Sequence, residues 1–278
     1  MSAEESAQIE REITLHEIDS SNGRLAIITL NRPGKYNALS GDHYRRLAAL
    51  LHETDARAVS GTVLIGTGSF FSAGADVRNA GRSGPASSHD TDVHAHFMTQ
   101  FNTGNLNLTH VFLHHRHPLF VCLNGPVIGM SAAIVAFADF IYATPETYLL
   151  TPFASLGLAP EGASSVMFPL KMGHALANRA LLMSERITAD ELLRAGFISA
   201  LFPRERFQET VVAHIKHVME DKNVESMKIA KRHVVDGYRD RVESANVREV
   251  YDATDRFSRG IPQEQFLRLA NKEKRHKL

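Results

Sequence analysis

The segment SLGLAPEGASS, Ser155 to Ser165, holds one acid, Glu161, between a proline and a glycine and among small or apolar neighbours. Desolvating an unpartnered carboxylate costs on the order of a few kcal/mol, so an ordinary turn is made more cheaply with Ser or Asn. An acid in this setting calls for a reason beyond forming a turn. A structural reason stands as one alternative: Glu161 is placed to be an N-terminal residue of a helix through GASSVMF, meeting the positive end of its dipole.

Two other stretches carry a shared theme. SAGAD (Ser72–Asp76) and NGPVIGMS (Asn124–Ser131) each set small residues between an apolar run and an expected helix start. Small side chains let a ligand approach the backbone, and helix-terminal N–H groups lack intrahelical partners. Two such donors converging on one point make an oxyanion hole. For either loop alone, a tight turn packed for its own sake is the competing reading.

Three further motifs weigh less. GTGS (Gly66–Ser69) lacks the third glycine of a dinucleotide fingerprint. GMSAA (Gly129–Ala133) departs at its last position from the G-x-S-x-G elbow, which makes Ser131 a poor nucleophile candidate. HHRH (His114–His117) has no second cluster at metal-ligand spacing and reads as solvated residues at a helix end, so no metal site is expected.

These residues need elements to hold them. ITLHEI (Ile13–Ile18) and LAIITL (Leu25–Leu30), separated by Ser21-Asn22-Gly23, predict a hairpin. Leucines 47, 50 and 51 mark one face of a helix over Asp42–Ala56. TVLIG, LFVCL, FIYAT, TYLL and FISALF read as strands, with helices over about Val93–His115 and Met130–Phe137. Thr188 with Glu191 forms a capping box opening a helix that stops at Gly196. Gly81–Asp92 reads as a surface loop, and the chain from Arg204 onward as charged helices. Strand–helix alternation favours parallel pairing with right-handed crossovers. The expected architecture is an α/β core over 1–202 followed by a helical region over 203–278.

Composition narrows the classes. The 31 basic and 31 acidic side chains cancel, so no general electrostatic argument favours nucleic acid. The lone Cys122 cannot form an internal disulfide, which fits a reducing compartment. The acidic N-terminal stretch reads as neither signal nor transit peptide. The longest apolar region, Leu119–Ala143, is broken at Asn124-Gly125-Pro126 and Asp139, so no membrane span is expected.

Taken in order, NRPGKYNALS, FFSAGAD, LNGPVIGMSAAIVAFADFIYAT and PFASLGLAPEGASS resemble the crotonase (enoyl-CoA hydratase/isomerase) superfamily over roughly Ile13 to Phe202. Within it the likeness is greatest to fungal peroxisomal Δ3,Δ2-enoyl-CoA isomerases. The resemblance implies a spiral of β-β-α units with C-terminal helices that build homotrimers or hexamers. It implies backbone N–H donors at Ala75 and Met130, a CoA-lining loop of Ala73, Gly74, Ala75, Asp76 and Val77, and Glu161 as catalytic acid/base. Asn105 is placed either near that carboxylate or on an ordinary helix surface. No cofactor is implied, since coenzyme A is part of the acyl-CoA substrate.

Hydratases resembling this chain use two glutamates, at positions that here read Ala133 and Phe153. Water addition needs both, so the expectation is isomerisation of a 3-enoyl-CoA to the trans-2-enoyl-CoA. Dienoyl-CoA isomerisation, weak hydration, or a non-catalytic acyl-CoA-binding role are the alternatives. His276-Lys277-Leu278 resembles a peroxisomal targeting tripeptide, which implies an import receptor as partner and the peroxisome as address.

Overall fold

A computed structural model of the chain describes residues 2–76, 103–271 and 273. The expected loop over 81–92, the N-terminal part of the helix expected from Val93, Val77 and the tripeptide His276–Leu278 lie outside these residues.

β-Branched and leucine-rich runs give the first hairpin, β1 (Ile13–Ser20) against β2 (Gly23–Leu30), paired antiparallel from Ile13↔Leu30 to Ser20↔Gly23. It is preceded by α1 (Ala3–Glu12), whose Ser2–Glu5 capping box is a sequence signal that the strand-centred reading passed over. Helix α2 (Gly41–Asp55) follows and buries Leu47, Leu50 and Leu51, the face read from their spacing.

Beyond the hairpin every pairing in the main sheet is parallel. Strands β3 (Gly61–Gly66) and β4 (Leu119–Leu123) are buried at every position, as expected of parallel strands covered on both faces. Helix α3 (Thr103–His114) leads into β4. Strand β5 (Val127–Ile128), helix α4 (Met130–Ile134), β6 (Phe140–Ala143) and β7 (Tyr148–Leu150) come next. Helix α5 (Ser164–Met183), β8 (Ile187–Thr188), α6 (Ala189–Arg194) and β9 (Ala200–Leu201) complete the strand-bearing part. The main sheet runs β1-β2-β3-β4-β6-β9 and a small second sheet β5-β7-β8.

Alternation along the strands feeds two cores. Ile28, Leu30, Leu64 and Val121 pack with α2, α3 and α5. Leu25, Ile27, Val63, Ile65 and Phe120 face the other way, onto α7 (Phe207–Met219). Each such aliphatic side chain, fully buried, is worth about 1.5–3 kcal/mol. Three more helices, α8 (Val224–Asp236), α9 (Arg239–Ser258) and α10 (Ile261–Ala270), end the described chain.

One expectation is corrected. His115 and His117 are not solvated but buried. His115 joins Asp55 at 3.0 Å and the Thr62 hydroxyl at 3.0 Å, tying the end of α2 to β3. The chain turns inward after α3 to enter β4, and it takes both imidazoles with it.

Candidate active site

The two glycine-bearing loops lie side by side at the carboxyl ends of β3 and β4. Ser72 pairs with Val127, and Ile128 N–H donates to the Ser72 carbonyl at 2.9 Å. Gly74 (φ 83°) and Gly129 (φ 63°) adopt backbone that favours glycine. A β-carbon at Gly74 would stand 2.8 Å from the Ile128 carbonyl oxygen. The crossing is therefore closed to larger residues, and the residues that follow, Ala75 and Met130, emerge from it together. Ala75 is exposed and Met130 is buried. Among the described residues, neither the Ala75 nor the Met130 N–H donates to a protein acceptor. Met130 is the first residue of α4, where such a donor has no intrahelical partner.

A chain of buried hydroxyls underlies this crossing. Ser72 Oγ donates to the Asn37 carbonyl at 2.8 Å and accepts from Gly74 N–H at 3.1 Å. It also meets Ser131 Oγ at 2.8 Å, which in turn meets the Tyr44 hydroxyl at 3.0 Å. Ser131 is thus a tie between α2 and the loops, with its hydroxyl committed to neighbours that cannot activate it as a nucleophile. Asn37, fully buried, donates its amide to the carbonyls of Thr67 and Phe70, each at 2.8 Å, and so pins the turn that GTGS forms. That turn leads into the SAGAD loop, whose described part contains no helix of the kind a dinucleotide fingerprint opens. Ala73 N–H is held by the Tyr36 carbonyl at 2.9 Å. The Asp76 carboxylate lies 3.7 Å from Arg32.

Glu161 sits three residues before α5, on a segment whose next two residues, Gly162 and Ala163, are left-handed (φ 66° and 52°). Ala163 in this conformation is fully buried, and such a residue costs on the order of 1–3 kcal/mol unless packing enforces it. Gly162 lies against α4: an added β-carbon would be 2.8 Å from the Ala133 Cβ and 3.3 Å from the Met130 sulfur. Glu161 is half-buried, and among the described residues no hydrogen bond reaches its carboxylate. Burial, reinforced by the charge of Glu249, pushes its pKa up to about 8. Ala133 and Phe153 are both buried apolar side chains.

The dipole-capping role that the alternative reading offered Glu161 belongs to another residue. Glu249, on α9, accepts the Ser165 N–H at 3.0 Å. Sequence reading missed it within a charged helix. Its signal is positional: Val242, Ala245, Asn246, Glu249, Val250 and Ala253 follow helical spacing and are all buried, so an acid occupies the inward stripe. From the same helix Arg256 Nε donates to the Gly157 carbonyl at 2.7 Å, bracing the other end of the Glu161 loop. Asn105 is half-buried on α3, and no described hydrogen bond joins its side chain to Glu161.

His110, His114 and Glu243 bring ligand atoms within 4.8 Å of one another. Arg239 donates to His114 Nδ1 at 2.8 Å, which leaves the proton on Nε2, facing Glu243 at 2.8 Å. With both nitrogens engaged, the cluster offers an ion no free imidazole lone pair from His114.

Comparison with known proteins now adds to the geometry. The family described as Enoyl-CoA hydratase/isomerase matches residues 20–272. The chain belongs to this family. As a member of the enoyl-CoA hydratase/isomerase family it is 42% identical to a Delta(3,5)-Delta(2,4)-dienoyl-CoA isomerase of Pyricularia oryzae, over 92% of this chain and 96% of that one. It is 33% identical to the 3,2-trans-enoyl-CoA isomerase of Saccharomyces cerevisiae, over 92% and 94% respectively. The fold is that of a solved enoyl-CoA hydratase/isomerase from Pseudoalteromonas atlantica, with a TM-score of 0.80 at 24% identity, covering 95% of this chain and 99% of that one. The crotonase architecture expected from the motifs, with its C-terminal helices, is the architecture found.

Proposed function

We propose that this family member is a Δ3,Δ2-enoyl-CoA isomerase working through one carboxylate. The observation that carries the reading is Glu161: a half-buried acid with its pKa pushed up to about 8, whose carboxylate no hydrogen bond reaches among the described residues, in a chain where the two hydratase glutamate positions read Ala133 and Phe153. In the proposed cycle Glu161 takes a proton from C2 of a 3-enoyl thioester. The C2–H electrons pass into a dienolate whose charge gathers on the thioester oxygen. The N–H groups of Ala75 and Met130 stabilise that oxygen, a donor of this kind being worth about 10²–10³ in rate. Glu161 then returns the proton to C4, the double bond settles between C2 and C3, and the carboxylate is regenerated. No water, electron or net proton is consumed, so no second acid or redox group is required.

The loop of Ala73, Gly74, Ala75 and Asp76 would line the CoA moiety. Exposed apolar residues on the C-terminal helices, among them Val234, Tyr251 and Leu267, support assembly into trimers or hexamers. The tripeptide His276-Lys277-Leu278 supports import into the peroxisome, and a relative in mouse is named a peroxisomal Enoyl-CoA delta isomerase 3. Among the described residues no helix is long and apolar enough to cross a membrane.

A second reading, 3,5-dienoyl-CoA to 2,4-dienoyl-CoA isomerisation, is favoured by the name of the Pyricularia relative. Purified protein offered 3-hexenoyl-CoA and 3,5-octadienoyl-CoA in parallel separates the two by the absorbance of their conjugated products. Faster turnover of the monoene supports the first reading, faster turnover of the diene the second, and no turnover of either refutes both.

A further inference from the structure

Glu249 is chemically out of place for a simple helix cap. It is 6% exposed, and its Oε2 is buried without a hydrogen-bond partner among the described residues. No described cation pairs with it: the neighbouring Arg248 turns its guanidinium to the Ser244 hydroxyl at 2.6 Å. A helix N–H group can be satisfied by a neutral Asn, Gln or Ser at far smaller desolvation cost. Burial raises the pKa of Glu249 as well, so an acid at this position calls for something that a neutral cap would not do.

The nearest candidate for that effect is Glu161. The carboxylate of Glu249 holds the N–H of Ser165, the fourth residue after Glu161. Glu249 is also the charge that Glu161 feels most. The other groups facing the pair are Tyr44 on α2, whose phenol senses Glu161, and Arg248 on α9, which acts weakly on Glu249. Two like charges so placed do not ionise independently. Their settings differ in one respect: Glu249 receives a backbone donor at a helix N-terminus, and Glu161 receives none among the described residues. That donor and the helix dipole favour the anion at Glu249, which leaves the shared proton at Glu161.

We propose that Glu249 is a positioning residue for Glu161: it caps the helix that follows the catalytic turn, holding Gly162 and Ala163 left-handed, and by its own charge keeps the proton of the pair on Glu161. The proposal rests on the reading of Glu161 as acid/base, and it adds an acid from α9 to a site otherwise built from the core. Glu249 does not touch substrate in this account.

The test compares the native enzyme with Glu249→Gln and Glu249→Ala. Glutamine keeps an acceptor for the helix and removes the charge. Its circular dichroism should match the native protein, while the acid limb of its kcat/KM profile with 3-hexenoyl-CoA moves to lower pH. Alanine removes the cap as well, so melting temperature and kcat should both fall, kcat by at least about tenfold. A purely structural cap would lower melting temperature in both variants and leave the position of the acid limb unmoved, which overturns the proposal.

A measurement on the native protein decides the matter without turnover or refolded variants. Carboxyl-labelled glutamates are titrated by NMR, with the Glu161 resonance assigned from Glu161→Gln. Coupled titration, with Glu249 releasing its proton at lower pH than Glu161, is expected. Independent single-step titrations, or the reverse order, overturn the proposal. Absence of isomerase activity would refute the functional reading and leave this titration standing.

Discussion

Gly162 is seated against Ala133 so closely that a β-carbon added to the glycine would lie 2.8 Å from the alanine Cβ. The position that resembles a hydratase glutamate site is thus filled by a methyl group that fixes the turn after Glu161. Gly162→Ala adds both this overlap and a left-handed strain, since Gly162 has φ 66°. It should destabilise the fold by about 1–3 kcal/mol in chemical denaturation and lower turnover at least about tenfold through displacement of Met130. Native turnover in that variant would show that the contact does not position the acid.

Glu161→Gln should retain the fold and lose at least about 10² in turnover, the low end of what a positioned acid/base contributes. For the native enzyme kcat/KM should rise with pH through an inflection at about 8, where Glu161 becomes a free base. A profile flat from pH 6 to 9 would remove Glu161 from that role.

The same residue links activity to stability. An unfolded chain releases this proton near 4.5, whereas the folded chain keeps it to about 8. The stability that goes with the retained proton is whole below 4.5 and is lost as pH rises through about 8. Glutamine escapes that loss. The gain in unfolding free energy of Glu161→Gln over the native protein should be absent at pH 4 and reach on the order of 1–3 kcal/mol at pH 9, a range that allows for the partly open carboxylate.

Ser72→Ala should expose what the hydroxyl chain contributes. It deprives the buried Gly74 N–H of its acceptor and separates Ser131 from the Asn37 carbonyl. Leaving a buried donor unsatisfied costs about 1–3 kcal/mol. Turnover should fall with KM nearly unchanged, since what loosens is the placement of Ala75 and Met130. An unchanged melting temperature would mean that water replaces the hydroxyl without loss.

His117 supplies a separate acid sensitivity. Burial, helped by the nearby Lys228, holds its pKa down to about 4, against 6.5 when unfolded. Stability is therefore full above 6.5 and is lost as pH falls towards 4. His117→Leu should flatten that part of the melting curve against pH, with a residual slope from His115. An identical slope would assign the effect elsewhere.

Where local pattern and tertiary burial agree, the elements are legible in the residues. LFVCL forms a buried strand and the Thr188–Glu191 capping box opens a helix, each where the local residues put it. Local pattern fails where distant chain decides. Helix α5 tolerates Pro169 and a non-helical Gly173, and its start is capped from residue 249 rather than from its own N-cap. His115 and His117 look like surface residues until β4 draws them inward. Glu249 was hidden because its neighbours are charged, and only the helical stripe of Val242, Asn246 and Val250 tells that it faces in.

The supports of the Glu161 turn have a consequence for the order of synthesis. Glu249 and Arg256 hold its two ends, yet both are made some 90 residues after the turn itself. A nascent chain can pair its sheet and bury its first core while the Glu161 turn still lacks both braces. A chain halted before α9 would hold the loops without either brace.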